Sequence, residues 1–332
     1  MTVTKTLDEI RSYITQVLQA KGVPQAACRT VADSLAYADG RGTRSHGLNM
    51  LSAYLERIDA GGIDVSAVPQ VVHEDASTLC LDAKNGFGQV GVQALVDGLL
   101  HKAEQTGVVC GSVRSLNHCG ALAYYTEQCA RQGYIAFLFV NANPTVAPFG
   151  GMEATLGTNP LSVALPNGDL PILLDMASSA VAKAKIYQAA KLGQKIDPSW
   201  ALDQDGNPTD DPQKAISGVL TSMAGPKGYG IALVVEALAG VVSGAGITSQ
   251  VSSVHKGLDR GMNAGGFLIL INPNAFLSPG DYRHRLAQLV KSVKSCKPQP
   301  GREIFLPGEI EHRNLAKAKA EGVTCDAVFF PS

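Results

Sequence analysis

Two of the seven histidines stand apart: His46 in Ser45-His46-Gly47, and His118 in Asn117-His118-Cys119-Gly120. Each lies between expected elements, beside a polar neighbour and a glycine. An imidazole near its ordinary pKa takes or gives a proton at neutral pH, which contributes about 10²–10⁴-fold in rate. Taken alone, either is more often a structural histidine. Ser45 reads as the N-cap of a helix, with His46 in its first turn beside amides suited to an anion. His73, His101, His255, His284 and His312 sit in surface-like contexts, and no His-x-x-x-His or His-Glu-x-x-His pair suggests a metal site. Lys227, in Gly225-Pro-Lys-Gly-Tyr-Gly230, opens a helix. It suits a phosphate, and a solvated first-turn lysine is an equal alternative.

A second concentration of chemistry follows the apolar run Ile135 to Val140. Asn141 and Asn143 stand where that strand should leave its sheet, and Pro144, Pro148 and Pro160 stiffen the loop beyond. Gly150, Gly151 and Gly157 permit close backbone approach there. Ligands of open α/β sheets bind outside the carboxyl ends of strands, so this loop is a candidate site; a plain surface connection is the alternative.

Two other patterns are weaker. Gly86-x-Gly88-x-x-Gly91 matches the dinucleotide fingerprint, but no acid stands at the end of the next strand, beside Arg114. The preferred reading is a tight strand-to-helix turn. Asp203-Gln-Asp205-Gly-Asn207 has Lys214 where a calcium loop needs glutamate, and reads as a turn.

The elements that must hold these residues alternate. Thr6 and Glu9 form a capping box before Ile10, Tyr13, Ile14, Val17 and Leu18. Pro24 starts a second helix bearing Val31 and Leu35, and a third carries Leu51, Tyr54, Leu55 and Ile58 up to Gly61. The expected strands are Thr78 to Ala83, Val108 to Val113, Ile135 to Val140, Pro171 to Leu174 and Phe267 to Ile271. The expected helices are Val90 to Gln105, Ala121 to Arg131, Ser179 to Leu192, Gly228 to Val242 and Tyr282 to Val293; Gln194 to Pro226 is mostly loop. This gives an α/β fold with a mixed sheet: an N-terminal helical region over residues 1–68, an α/β core over 69–290, and a C-terminal strand and helix over 291–332.

The 332 residues carry a net charge of −1, which offers no broad attraction to nucleic acid or a membrane surface. Hydrophobic residues make up 45%, enough for a sizeable core. No apolar run approaches a membrane span, and the first ten residues lack the apolar block of a signal peptide. Seven cysteines without a Cys-x-x-Cys fit free thiols in a reducing cytoplasm.

In order along the chain come Ser45-His46-Gly47, His118-Cys-Gly120, Pro148-Phe-Gly150, Gly157-Thr-Asn-Pro160, Asp175-Met-Ala177, Trp200-Ala-Leu-Asp203 with Asn207-Pro-Thr209, and Gly225-Pro-Lys-Gly-Tyr-Gly230. This pattern resembles the malate/L-lactate dehydrogenase family, which stands outside the Rossmann-type dehydrogenases. Within the family the wording is most similar to the ureidoglycolate dehydrogenases. The resemblance implies a non-Rossmann NAD(P)-binding fold, with a cofactor-binding part over about 120–275. It further implies a cytoplasmic homodimer, or an assembly of dimers, that takes a small-molecule substrate. The cofactor would be NAD or NADP, with NAD favoured. Implied cofactor contacts are Asn141, Ala142, Thr158, Asn159, Asp175, Met176, Ala177, Pro226, Lys227, Gly308 and Glu309. His118 is implied as acid/base with His46 beside it, and Ser45, Arg44 and Asn143 as substrate contacts. Two positions depart from the pattern. Met50 replaces an arginine suited to a substrate carboxylate, leaving Arg44 or helix amides to substitute, and Asn143 stands where the ureidoglycolate enzymes have aspartate. The implied reaction is NAD(P)-dependent interconversion of a 2-hydroxy acid and a 2-oxo acid, with ureidoglycolate the first candidate. A cyclic imino acid reductase, a Rossmann enzyme using Gly86 to Gly91, and a non-catalytic ligand-binding member are the alternatives.

Overall fold

The computed structural model describes residues 2–330. Strand β1 (Thr2–Lys5) leads into helices α1 (Leu7–Ala20), α2 (Gln25–Gly40) and α3 (Leu51–Ala60). The capping box forms as its spacing requires: Glu9 N–H donates to Thr6 Oγ1 at 3.2 Å, and Thr6 N–H donates to Glu9 Oε2 at 2.8 Å. Ile10, Ile14 and Leu18 then point into a core shared with Val31, Leu35, Leu51 and Tyr54. Gly61 ends α3 in the left-handed region.

The central sheet has seven strands, in order β2 (Gln70–Glu74), β3 (Thr78–Asp82), β4 (Val108–Leu116), β10 (Ala264–Ile271), β5 (Ile135–Val140), β6 (Leu161–Leu165) and β7 (Ile172–Met176). The β3–β4 pair is parallel and the other five pairings are antiparallel. Helices α4 (Gly88–Ala103) and α5 (Ala123–Arg131) pack on this sheet over a core of Leu95, Leu99, Val113, Tyr125, Leu138 and Leu268. The remaining elements are α6 (Lys183–Leu192), β8 (Ala201–Leu202), α7 (Pro212–Ser217), β9 (Val219–Leu220), α8 (Pro226–Glu236), α9 (Pro279–Lys294), α10 (Glu309–Glu321) and β11 (Val323–Asp326). Strand β11 returns to pair antiparallel with β1. Among the described residues no helix is long and apolar enough to cross a membrane.

Several expectations need correction. The N-terminal region contains a strand, β1, which four residues with one apolar side chain did not reveal. Strand β2 is exposed along its whole length at the sheet edge, so it lacks the buried alternation that marks a strand. Strand β6 begins directly after Pro160, inside the stretch read as loop, and buries Ser162 and Ala164. The stretch from Gln194 to Pro226 holds α7 and the β8–β9 pair. The boundary set at 290/291 cuts α9. The apolar helix expected up to Val242 changes at Glu236 from α8 to a wider π turn, Ala237–Val242.

The glycine fingerprint serves packing. A Cβ on Gly88 would collide with the carbonyls of Asn117 and His118; one on Gly91 would meet Leu116 Cδ2 at 2.6 Å. The glycines therefore let α4 lie directly against the loop that carries His118. The Asp203 segment is a turn, with the N–H groups of Asp205 and Asn207 on Asp203 Oδ1 at 3.0 and 2.9 Å.

Candidate active site

Ser45 does not cap α3. Two 3₁₀ turns, Arg44–His46 and Leu48–Met50, precede that helix. The protein supplies its own anion there: the buried Asp39, near the end of α2, accepts the Leu48 N–H on Oδ2 at 2.8 Å. A Cβ on Gly47 would strike that carboxylate, so glycine is required for the approach. Burial raises the Asp39 carboxyl to about 6 against the opposing pull of the Leu48 amide and Arg44. The turn presents His46, half-buried, with Ser45 Oγ at 2.9 Å from its Nδ1. Burial lowers the His46 pKa, which favours the neutral ring.

His118 stacks on His46 from the loop after β4, with ring centroids 5.5 Å apart and planes at 30°. Behind it lies Tyr54 of α3, almost wholly buried, whose hydroxyl is 2.7 Å from His118 Nδ1. Gln89 of α4 donates its Nε2–H to that hydroxyl at 2.8 Å, and the Gly120 N–H points at His118 Nδ1 at 3.3 Å. Burial pushes His118 down to about 3, and the charges of His46 and His255 act in the same direction. The loop bearing His255 is pinned by Arg57, fully buried, which donates to the carbonyls of Ser253 and Gly257 at 3.3 and 3.4 Å and to that of Arg260.

A cavity of about 710 Å³ opens between the N-terminal layer and the β7 end of the sheet. Of the sequence-derived site residues, Ser45, His46, Thr158, Asp175, Met176, Ala177 and Gly308 line it. Asp175, in β7, accepts the Ala123 N–H at 2.8 Å. Although it is open to the cavity, desolvation by the surrounding wall raises its pKa to about 6, opposed by the backbone amides of Ala123 and Leu122. Arg41 also lines the wall, but its guanidinium pairs with the buried Glu127 and lies 4.7 Å from the centre of the Tyr37 ring. Tyr37 donates to the same Glu127 oxygen at 2.5 Å. Lys183 is the other cation on the wall, half-buried at the start of α6, and has no ion pair among the described residues. Burial lowers its pKa, with the charge of Lys256 adding.

His118 is not among the lining residues; it stacks on His46, which is. The other expected residues also lie outside this lining. Asn141 is buried and its side chain is committed to the scaffold: it donates to the Gly246 carbonyl at 2.8 Å and accepts the Gly265 N–H at 2.8 Å. Asn159, with φ near 30°, donates to Glu236 Oε2 at 2.7 Å and to the Ala232 carbonyl at 2.9 Å, and accepts the Ala142 N–H at 3.1 Å. Glu236 also accepts the Thr248 N–H at 2.7 Å. Asn143 is half-buried on the same loop, while Arg44, Pro226 and Lys227 are exposed. Glu309 is held by Lys294 and by the Leu306 N–H at 2.9 Å. Met50 is buried in the N-terminal core. Tyr54, Gln89, Arg57, Lys183 and His255 are site residues that the sequence does not single out: Tyr54 reads as a core-facing aromatic and His255 as a surface histidine. The proximity of Gln89 to the glycine run was the available clue. Among the described residues no cluster of three His, Cys, Asp or Glu could hold a metal ion.

The donor set fits a dinucleotide. Helix α6 begins without a side-chain cap and without an acid in its first turn, and Ala182, Lys183 and Ala184 line the cavity. Gly308, which has no room for a Cβ against Leu173, brings bare backbone to the opposite wall. Leu173, Met176, Phe305, Leu306 and Ile310 supply apolar lining for rings.

The fold is shared with solved oxidoreductases. The sulfolactate dehydrogenase of Methanocaldococcus jannaschii superposes with a TM-score of 0.94 at 33% identity, covering 98% of this chain and 94% of that one. The Δ1-piperideine-2-carboxylate reductase of Pseudomonas syringae pvar. tomato superposes with a TM-score of 0.90 at 28% identity, covering 98% and 97%. In sequence, the M. jannaschii L-sulfolactate dehydrogenase is 35% identical over 93% of this chain and 89% of its own length. The NAD(+) ureidoglycolate dehydrogenase of Escherichia coli K12 is also 35% identical, over 95% and 90%. The malate/L-lactate dehydrogenase family profile matches residues 6–330. The chain belongs to that family, whose members here are hydroxyacid dehydrogenase-type oxidoreductases.

Proposed function

We propose that the protein is a nicotinamide-dependent dehydrogenase interconverting a small 2-hydroxy acid and its 2-oxo acid. The observation that carries this reading is the single cavity onto which Ser45 and His46 converge with Thr158, Asp175–Ala177 and the bare start of α6. A nicotinamide held there would take the hydride from C2 in oxidation and return it in reduction. The histidine pair serves the reacting hydroxyl group, and Ser45 orients the ring of His46 through Nδ1. With Met50 in the core and Arg44 outside the lining, Lys183 is the cation suited to the substrate carboxylate. Sulfolactate, malate and ureidoglycolate are the candidate substrates, each named by a relative of similar identity. NAD is the favoured cofactor, in keeping with the NAD(+)-dependent relative.

Cyclic imino acid reduction is the second reading, supported by the shared fold of the piperideine-2-carboxylate reductase. Absorbance at the nicotinamide band, with these hydroxy acids, their oxo acids, cyclic imines and both cofactors, separates the two. Turnover confined to imines would sink the hydroxy acid reading, and no turnover at all would sink both. We further infer a cytoplasmic homodimer. Leu233, Val234, Val241 and Val242 form an exposed apolar band that a second copy would cover, and seven free thiols accord with a reducing compartment. Sedimentation reads the assembly state; a wild-type monomer at micromolar concentration would overturn the dimer.

A further inference from the structure

The two stacked imidazoles are unlike in their partners, and the difference divides the labour between them. Tyr54 is 1% exposed, and its hydroxyl has two neighbours, Gln89 Nε2 at 2.8 Å and His118 Nδ1 at 2.7 Å. The Gln89 amide nitrogen donates, so it occupies an acceptor position on the Tyr54 oxygen. The one hydrogen of that hydroxyl is then left for His118 Nδ1. A second donor, the Gly120 backbone N–H, converges on the same nitrogen at 3.3 Å. A ring nitrogen facing two donors must offer its lone pair, and the proton of a neutral imidazole then resides on the other nitrogen.

We propose that Tyr54, itself held by Gln89, is a positioning residue that locks His118 as the neutral Nε2–H tautomer. With its ring stacked on the cavity-lining His46, His118 is then set to offer Nε2–H to a substrate oxygen, while His46 carries the transferred proton. The inference rests on the hydroxy acid reading for its chemistry, but the tautomer itself can be read without turnover. In reduction, the carbonyl oxygen would accept the Nε2–H of His118, and a bound reduced nicotinamide would supply the hydride for C2. The C–O π pair becomes the new O–H bond with the proton from protonated His46, which is left neutral. His118 keeps its own proton throughout. Were it to give up Nε2–H, Nδ1 would have to take the Tyr54 proton and leave a buried phenolate; burial raises the Tyr54 pKa, which opposes that loss. Burial likewise disfavours a second proton on His118. His46 has only a serine hydroxyl, able to donate or accept, on its Nδ1, so its ring is free to alternate between states.

The test combines nitrogen-15 NMR of labelled histidine with kinetics of the full chain. Wild-type His118 is expected to show Nε2 protonated and Nδ1 bare. Tyr54→Phe keeps the ring that packs on Phe87 and removes the donor. It should give a mixed tautomer and lower kcat by about 10-fold to 10³-fold, the scale of losing one aligned donor, with KM within about threefold. Gln89→Met leaves the Tyr54 hydrogen in place and should lower kcat less. A wild-type His118 protonated on Nδ1 would overturn the proposal, and that measurement stands even if Tyr54→Phe does not fold. A folded Tyr54→Phe with unchanged tautomer and kcat within twofold would overturn it too. If the wild type shows Nε2–H but turns over no substrate with nicotinamide, the function reading fails and the tautomer lock remains.

Discussion

Two polar clusters flank the cavity, built from similar residue types and finished differently. Around Glu236, each side-chain amide or carboxylate group has a backbone or side-chain partner: Asn141, Asn159 and the Thr248 amide converge on it, and Gly240 approaches Asn141 closely enough that a Cβ would stand 3.0 Å from Nδ2. Around the histidines, by contrast, capacity is left over. His46 has one partner, on Nδ1, and the Gln89 Oε1 is buried without one. A satisfied buried network specifies a structure, whereas unspent donors and lone pairs are what a substrate can use. Substitutions in the first cluster should therefore be felt in folding, and those in the second in turnover.

The largest expected effect is on catalysis. His46→Gln should lower kcat by about 10²–10⁴-fold while leaving the urea midpoint within experimental scatter. A matching loss of stability would mean that the histidine cluster is scaffold after all. Next comes Glu236→Ala, which takes the acceptor from three N–H donors, two of them buried, and should destabilise the chain by about 3 kcal/mol in urea. Wild-type stability in that variant would remove the contrast between the two clusters. Lys183→Met keeps the aliphatic stem and removes the charge; KM for a carboxylate substrate should rise by about 10–100-fold at nearly constant kcat, with Lys183→Arg restoring it. If NADPH affinity falls instead and the substrate KM holds, the cation serves a cofactor phosphate.

The same contrast explains what could be read from sequence. Ser45-His46-Gly47 stands out in the sequence because a histidine between two small residues at an element boundary has few packing reasons to be there, and the structure places Ser45 and His46 on the cavity wall. Most strands and helices were legible from period and caps, as in the capping box at Thr6 or the strand Ile135–Val140. Tyr54 was not, because its place on the apolar face of α3 says core, and its hydroxyl acts only through a residue far along the chain. Asn159, which the resemblance implies as a cofactor contact, spends its side chain on Glu236 and the backbone, a commitment that no local pattern records. Ser45 as a helix cap failed because Asp39, from a different helix, reached the amide first. The β1–β11 pair joins the two ends of the chain, and no local pattern records such pairing.

The smallest effect sharpens the comparison through proton linkage. His118 titrates near 3 in the fold against an ordinary 6.5, so between those values the unfolded chain binds more protons than the native one. Stability from this group is therefore full above about 6.5 and is lost as pH falls through that window. Asp39 and Asp175 run the opposite way: raised from 3.8 to about 6, they hold protons in the fold that the unfolded chain releases, and their contribution weakens as pH rises between those values. The two trends overlap, so the wild-type curve alone does not isolate the histidine. The difference between wild type and His118→Gln does, because both share the two acids. Urea midpoints compared from pH 7 to pH 4 should show the wild type losing ground to the variant by up to about 1.4 kcal/mol per pH unit below 6.5. Parallel curves would show that His118 titrates normally, and the enclosed, donor-saturated imidazole on which its role depends would not exist.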